Sequence, residues 1–157
     1  MNIFLVYGTN SSGTAVVAET IAARLRAKGH RLTVQHARDT QPAELGSDYD
    51  LLILGSCTWE RFTPEGKRLE GQLQQHVYDL LEHSTVPAKR RCALFGLGDS
   101  SYTDFCAAAD HLEAAIKRWN GQLIVPTLRI DAYYYDLKNN RRIVDEWVKT
   151  LADTIYE

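Results

Sequence analysis

The sequence predicts a three-layer, doubly wound α/β domain. Short apolar runs alternate with longer helical patterns about five times along 157 residues, the rhythm of strands joined by crossover helices. Three of the runs, "IFLVY" at 3–7, "LLILG" at 51–55 and "CALFG" at 92–96, lack polar alternation, as expected of parallel strands covered on both faces. The richest non-helical stretches fall just after these runs, where an open parallel sheet places its ligands.

In chain order, the first strand, 3–7, leads into a helix over 14–28. Val17, Ile21 and Leu25 lie four apart on one face, and Gly29 follows as a stop. "LTV" at 32–34 is the second strand, and a short helical turn is expected at 42–45. The third strand, 51–55, is followed by a helix predicted over 65–82 from Leu69, Leu73, Val77 and Leu80/Leu81. The fourth strand, 92–96, precedes a helix over 105–119 carrying Leu112, Ala115, Ile116 and Trp119. "LIVPTLRI" at 123–130 is the fifth strand. A last helix, 139–156, carries Ile143, Trp147 and Leu151. The chain holds no repeat, low-complexity tract or linker, so residues 1–157 are expected to form a single domain of ordinary size. Its longest irregular segment near the end is "AYYYDLKNN", 132–140.

A formal net charge of -2 gives no global argument for nucleic acid or an anionic membrane. No apolar run approaches the roughly 20 residues that span a bilayer, and the start lacks a signal-peptide pattern. Cys57, Cys92 and Cys106 are widely spaced, which argues against a disulfide framework and for a reducing cytoplasm. The five histidines show no metal-ligand spacing.

Three stretches should converge on one crevice. "GTNSSGT", 8–14, offers hydroxyls from Thr9, Ser11, Ser12 and Thr14, the Asn10 amide, and the N–H groups of a helix start, but no Lys or Arg. It lacks the lysine of a nucleotide triphosphatase loop and the glycine spacing of a dinucleotide fold. It suits a single terminal phosphate held by neutral donors, or else is a hydroxyl-rich helix cap. "GSCTWERFTPEG", 55–66, carries Trp59 between Thr58 and Glu60, either a stacking face for a planar ligand or a ring folded over the core. "GLGDSSYTDFC", 96–106, offers Tyr102 for an opposite face and Asp99 with loop amides for a ring edge; alternatively "GDSS" is a turn and cap. Together they specify a phosphorylated planar heterocycle.

On "YGTNSSGT", "YDLLILGSCTW" (49–59), "GLGDSSYTDFCAAAD" (96–110) and "LRID" (128–131), the chain resembles the short-chain flavodoxins along nearly its whole length. The resemblance implies a flavodoxin-like five-stranded parallel sheet of order 2-1-3-4-5, noncovalently bound FMN, and low-potential one-electron transfer between redox partner proteins, with a reductase as donor and a redox enzyme as acceptor. It implies phosphate binding by Thr9, Asn10, Ser11, Ser12, Gly13 and Thr14, with Trp59 on one flavin face and Tyr102 on the other. Thr58 would contact the ribityl and ring region, the backbone of Leu97, Gly98 and Asp99 the pyrimidine edge, and Cys57, Glu60, Phe105 and Cys106 would lie close by. A cytoplasmic monomer acting as a carrier is expected; the alternative is an FMN-dependent quinone or NAD(P)H reductase on the same fold. A response regulator is disfavoured, because no acidic cluster ends the first strand and no Asp follows the third. Two departures stand out. Ser12 occupies the family's usual loop-glycine position, with Gly13 one residue later, and Glu60 follows Trp59 where many members have Gly.

Overall fold

The computed structural model describes residues 1–10, 13–99 and 106–156. Its central layer is a sheet built from β1 (Asn2–Gly8), β2 (Arg31–His36), β3 (Leu51–Phe62) and β5 (Arg91–Gly98), in the order β2-β1-β3-β5 and parallel throughout. Beyond β5 lie two short parallel segments, β6 (Gln122–Leu123) against Arg91 and Cys92, and β7 (Leu128–Asp131) against Phe95 to Gly98. These are the two ends of the expected fifth strand, and the order 2-1-3-4-5 holds. The strand breaks where Pro126 lacks an N–H to give the ladder, and the Pro126 carbonyl instead accepts the Trp147 indole N–H at 2.9 Å.

The helices are α1 (Gly13–Ala27), α2 (Gln75–Glu82), α3 (Ala107–Arg118) and α4 (Leu137–Ile155), and a 3₁₀ turn spans Pro42–Gly46. Successive residues of a strand face opposite sides. Ile3, Leu5, Leu51 and Ile53 therefore pack with Val17, Ile21 and Leu25 of α1 and Val144, Val148 and Leu151 of α4. Phe4, Val6, Leu52 and Leu54 pack on the other side with Val77, Leu80 and Leu81 of α2 and Leu112 and Ile116 of α3. Each such side chain, taken fully out of water, contributes roughly 1.5–3 kcal/mol, so the unbroken apolar runs supply two cores at once.

One expected element is different. Residues 65–82 do not form one helix: Arg68–Leu73 is a strand, β4, paired antiparallel with Thr58 to Phe62, and only Gln75–Glu82 is helical. Leu69 and Leu73 are four apart, a spacing that serves a helix face and one side of a strand equally well. Gly71, at φ 62°, lies between them and disfavours a helix there. The turn between β3 and β4 passes through Gly66 at φ 84°. As a consequence β3 runs seven residues past the expected end at Gly55, and β4, with the division of the fifth strand into β6 and β7, brings the sheet to seven strands among the described residues where five were expected.

Candidate functional site

The carboxyl-terminal parts of β3 and β5 and the start of α1 open on a cavity of about 740 Å³. The N-terminus of α1 contributes Gly13 and Thr14, the β3–β4 hairpin contributes Cys57, Thr58, Trp59 and Glu60, and β5 contributes Leu97, Gly98 and Asp99. The turn after β7 closes the remaining side with Ala132, Tyr133, Tyr134 and Tyr135. The three stretches singled out in the sequence do converge. Ser11, Ser12, Tyr102 and Phe105, which were also singled out, lie outside the described residues.

At the α1 end, Gly8 is set by crowding. A Cβ there would lie 2.4 Å from both Gln74 Oε1 and Val77 Cγ2. Gln74 is buried, and it was missed in the sequence because it fell inside the presumed long helix. Its side-chain Oε1 accepts the N–H groups of His76 and Val77 at the start of α2, and its side-chain Nε2 reaches Asn10 Oδ1 at 3.4 Å. Its own N–H donates to the buried Ser56 hydroxyl. Gln74 thus fastens the opening loop to α2.

Thr14 is 1% exposed and lines the cavity, yet its Oγ1 has no hydrogen-bond partner among the described residues. The Oγ1 of Thr9 is likewise buried and unpartnered there. Leaving a buried hydroxyl unsatisfied costs about 1–3 kcal/mol, so these groups call for an acceptor. The first turn of α1 holds no acidic residue, and its free N–H groups carry partial positive charge. The cationic side chain on the cavity wall, Arg68, is committed elsewhere: it pairs with Glu60, and with Glu70 at 3.3 Å. The neutral donors of the α1 end suit a compact anion such as a phosphate.

Cys57 sits beside Thr14. Burial pushes its thiol up from the usual range, and the Asn10 backbone, its own backbone and the Thr14 hydroxyl pull it part of the way back. A neutral thiol is a weak partner, and it does not bring Thr14 Oγ1 to hydrogen-bond geometry. Thr58 Oγ1 accepts the Ala108 N–H of α3 at 3.2 Å, which leaves its own proton to donate. Trp59 is on an extended strand rather than a loop, paired with Gln72, and the register shifts between Trp59 and Arg61. Trp59 is 50% exposed and lines the cavity, so it does not fold over the core. Glu60 occupies the irregular position, tied to Arg68.

On β5, Gly98 leaves no room for a side chain: a Cβ would lie 2.5 Å from Cys106 N and 3.0 Å from Cys106 Cα. Cys106 is not a cavity wall. It is fully buried behind Gly98 at φ 50°, its Sγ is 3.5 Å from the carbonyls of Gly96 and Ile130, and burial pushes its thiol up to about 11. Such burial disfavours the thiolate, the reactive form.

The tyrosine turn was unassigned beyond edge cover or a partner surface; instead it forms part of the cavity. Ala132, at φ 44°, donates its N–H to Gly98 O at 2.7 Å. The buried Asn140 amide donates to the carbonyls of Asp131 and Tyr133 at 3.1 Å each. The topology brings this turn beside α1, since α1 and α4 share one face of the sheet. No periodicity in the sequence reports that proximity.

Behind the opening loop, His36 is buried and edge-on to Tyr7 and His76, with ring centroids at 5.3 and 5.7 Å. Its Nδ1 accepts the Arg38 N–H at 3.1 Å. Burial, with Arg38 and His76, lowers its pKa from the ordinary 6.5, against smaller opposing effects of Asp39 and the Thr9 backbone. A lowered histidine pKa favours the neutral folded form, so this stability is present above 6.5 and is lost as pH falls from there through the folded-state value. The urea midpoint should therefore fall as pH drops from 7.5 to 5.5, and fall less in His36→Gln. Equal falls in both proteins would show that His36 does not carry the effect.

Among the described residues there is no group of three or more His, Cys, Asp and Glu placed to hold a metal, and no helix is long and apolar enough to cross a membrane. The flavodoxin family model matches residues 5–142. A flavodoxin of Nitratidesulfovibrio vulgaris (strain Miyazaki F) is 34% identical over 149 residues, 93% of either chain. A probable flavodoxin 2 of Bacillus subtilis (strain 168) is 34% identical over 131 residues, 82% of this chain and 81% of that one. The crystal structure of oxidised flavodoxin 2 from Bacillus cereus superposes with a TM-score of 0.81 at 25% identity, over 98% of this chain and 99% of the other. With its fold in agreement with these matches, the chain belongs to the flavodoxin family, the FMN-binding electron carriers that work between redox proteins.

Proposed function

We propose that the cavity holds FMN with its phosphate at the N-terminus of α1 and its ring system against Trp59. Thr9, Asn10, Ser11, Ser12, Gly13 and Thr14 would hold the phosphate, Thr58 the ribityl region, and the backbone of Leu97, Gly98 and Asp99 the pyrimidine edge. Tyr102 would cover the other ring face, with Phe105 near it. The observation that carries this reading is Thr14 Oγ1, a buried hydroxyl without a partner among the described residues, on the wall of a large cavity at a helix N-terminus. When bound, FMN supplies reversible one-electron chemistry. The chain's part is to bind and orient it, to exclude water from the α1 side, and to leave the Trp59 side accessible to a partner. The donor would be a reductase and the acceptor a redox enzyme, met by a cytoplasmic monomer.

The visible spectrum of the purified protein, followed during reduction, tests this function. Oxidised-flavin bands that bleach in two one-electron stages with a reductase partner, and persist with NADH alone, are expected. Bleaching by NADH alone would indicate a reductase, and a protein that takes up no flavin would overturn the site.

A further inference from the structure

We propose that Tyr134 is a phosphate-binding residue, its phenol O–H donating to the FMN phosphate and so selecting phosphorylated flavin over riboflavin. This rests on the phosphate site above and adds a donor to it from a different part of the chain. A Cβ built on Gly13 would have Tyr134 Cε2 3.5 Å away. Cε2 is bonded to the carbon that bears the hydroxyl, so it is the polar end of the ring that reaches the start of α1.

The ring is held there. Tyr133, 5% exposed, anchors the turn in the core and meets Tyr134 edge to face at 5.2 Å. Ala132 N–H to Gly98 O joins the turn to β5, and Asn140 gathers the carbonyls of Asp131 and Tyr133. Asp136 caps α4 immediately afterwards, its carboxylate accepting the Asn139 N–H. Yet Tyr134 is 55% exposed, although it lies against a cavity wall. An aromatic ring fixed at its base, half exposed and set on a cavity wall is placed to meet a ligand rather than to fill a core.

The chemistry is complementary. An anion held by a helix start and hydroxyls, with the wall's one cationic side chain engaged by Glu60 and Glu70 among the described residues, would gain a further charge-assisted hydrogen bond from a phenol O–H. Tyr134 would do for the phosphate from the α4 side what Thr14 does from within α1.

The test is the ratio of riboflavin to FMN dissociation constants for the apoprotein, in wild type and Tyr134→Phe. Phe keeps the ring and its packing and removes only the hydroxyl; equal thermal unfolding midpoints for the two apoproteins establish that the fold is intact. The ratio should fall about tenfold or more, through weaker FMN binding with riboflavin unchanged. The midpoint rise given by inorganic phosphate alone should shrink in the variant. An unchanged ratio, or equal weakening of both flavins, overturns the role of Tyr134 and leaves the phosphate site standing. A wild type that binds both flavins equally overturns the phosphate site itself and Tyr134's role with it.

Discussion

Replacing Thr14 by Val should weaken FMN binding by about 10- to 150-fold and leave riboflavin binding nearly unchanged. The two side chains have the same shape, so little is lost in packing at a position that is 1% exposed. What is lost is one hydrogen bond to a charged group, worth about 1.5–3 kcal/mol. The same substitution should hold or raise the stability of the apoprotein, because it removes a buried hydroxyl that has no partner among the described residues. Few structural defects give both signs at once. Fluorimetric titration with each flavin and urea unfolding of the apoprotein read the two effects. A parallel loss of stability and of affinity for both flavins would mean that Thr14 serves the fold and not the phosphate.

Replacing Gly98 by Ala should destabilise the apoprotein by about 1–3 kcal/mol, the usual cost of forcing atoms into filled space, and should sharply weaken FMN binding. The added Cβ would meet Cys106 N and Cα, which are backbone atoms and cannot rotate aside. Gly98 itself is held by pairing with Asp131 and by the Ala132 N–H. The strain would therefore be passed to Cys106, already at φ 50°, and to the start of α3. Gly13→Ala is the contrast: among the described residues its Cβ would meet only Leu97 Cδ2 at 3.4 Å and Tyr134 Cε2 at 3.5 Å, ordinary contacts. It should fold as stably as wild type or better, Ala being favoured over Gly in a helix. Equal stability of the Gly98→Ala protein and wild type would show that the 106 end of the loop yields freely.

The layers were legible because strands buried on both faces leave unbroken apolar runs, and because the ligand-facing ends of such strands carry the polar loops; the strand order came from the family resemblance. "IFLVY", "LLILG" and "CALFG" became β1 and the inner halves of β3 and β5. The hairpin after β3 was not legible: Leu69, Leu73 and Val77 satisfy both periods, and only Gly71 argued otherwise. Trp59 was identified as a ligand-facing ring, but placed on a loop when it stands on a strand. Gln74 and Tyr134 were beyond sequence reasoning for a different reason. Each acts across a gap of about sixty residues or more in the chain, Gln74 on Asn10 and Tyr134 on Gly13. Such contacts follow from topology, and local pattern holds no trace of them. Cys106 shows the converse, a residue inside a recognised motif whose place is behind the cavity wall.

In the proposed site a helix start and neutral hydroxyls hold a flavin phosphate without a cationic side chain. The most direct measurement is the pair of dissociation constants of the wild-type apoprotein for FMN and for riboflavin. At least two charge-assisted hydrogen bonds reserved for the phosphate should make FMN bind about a hundredfold or more tighter. Equal affinity for the two flavins would contradict the account.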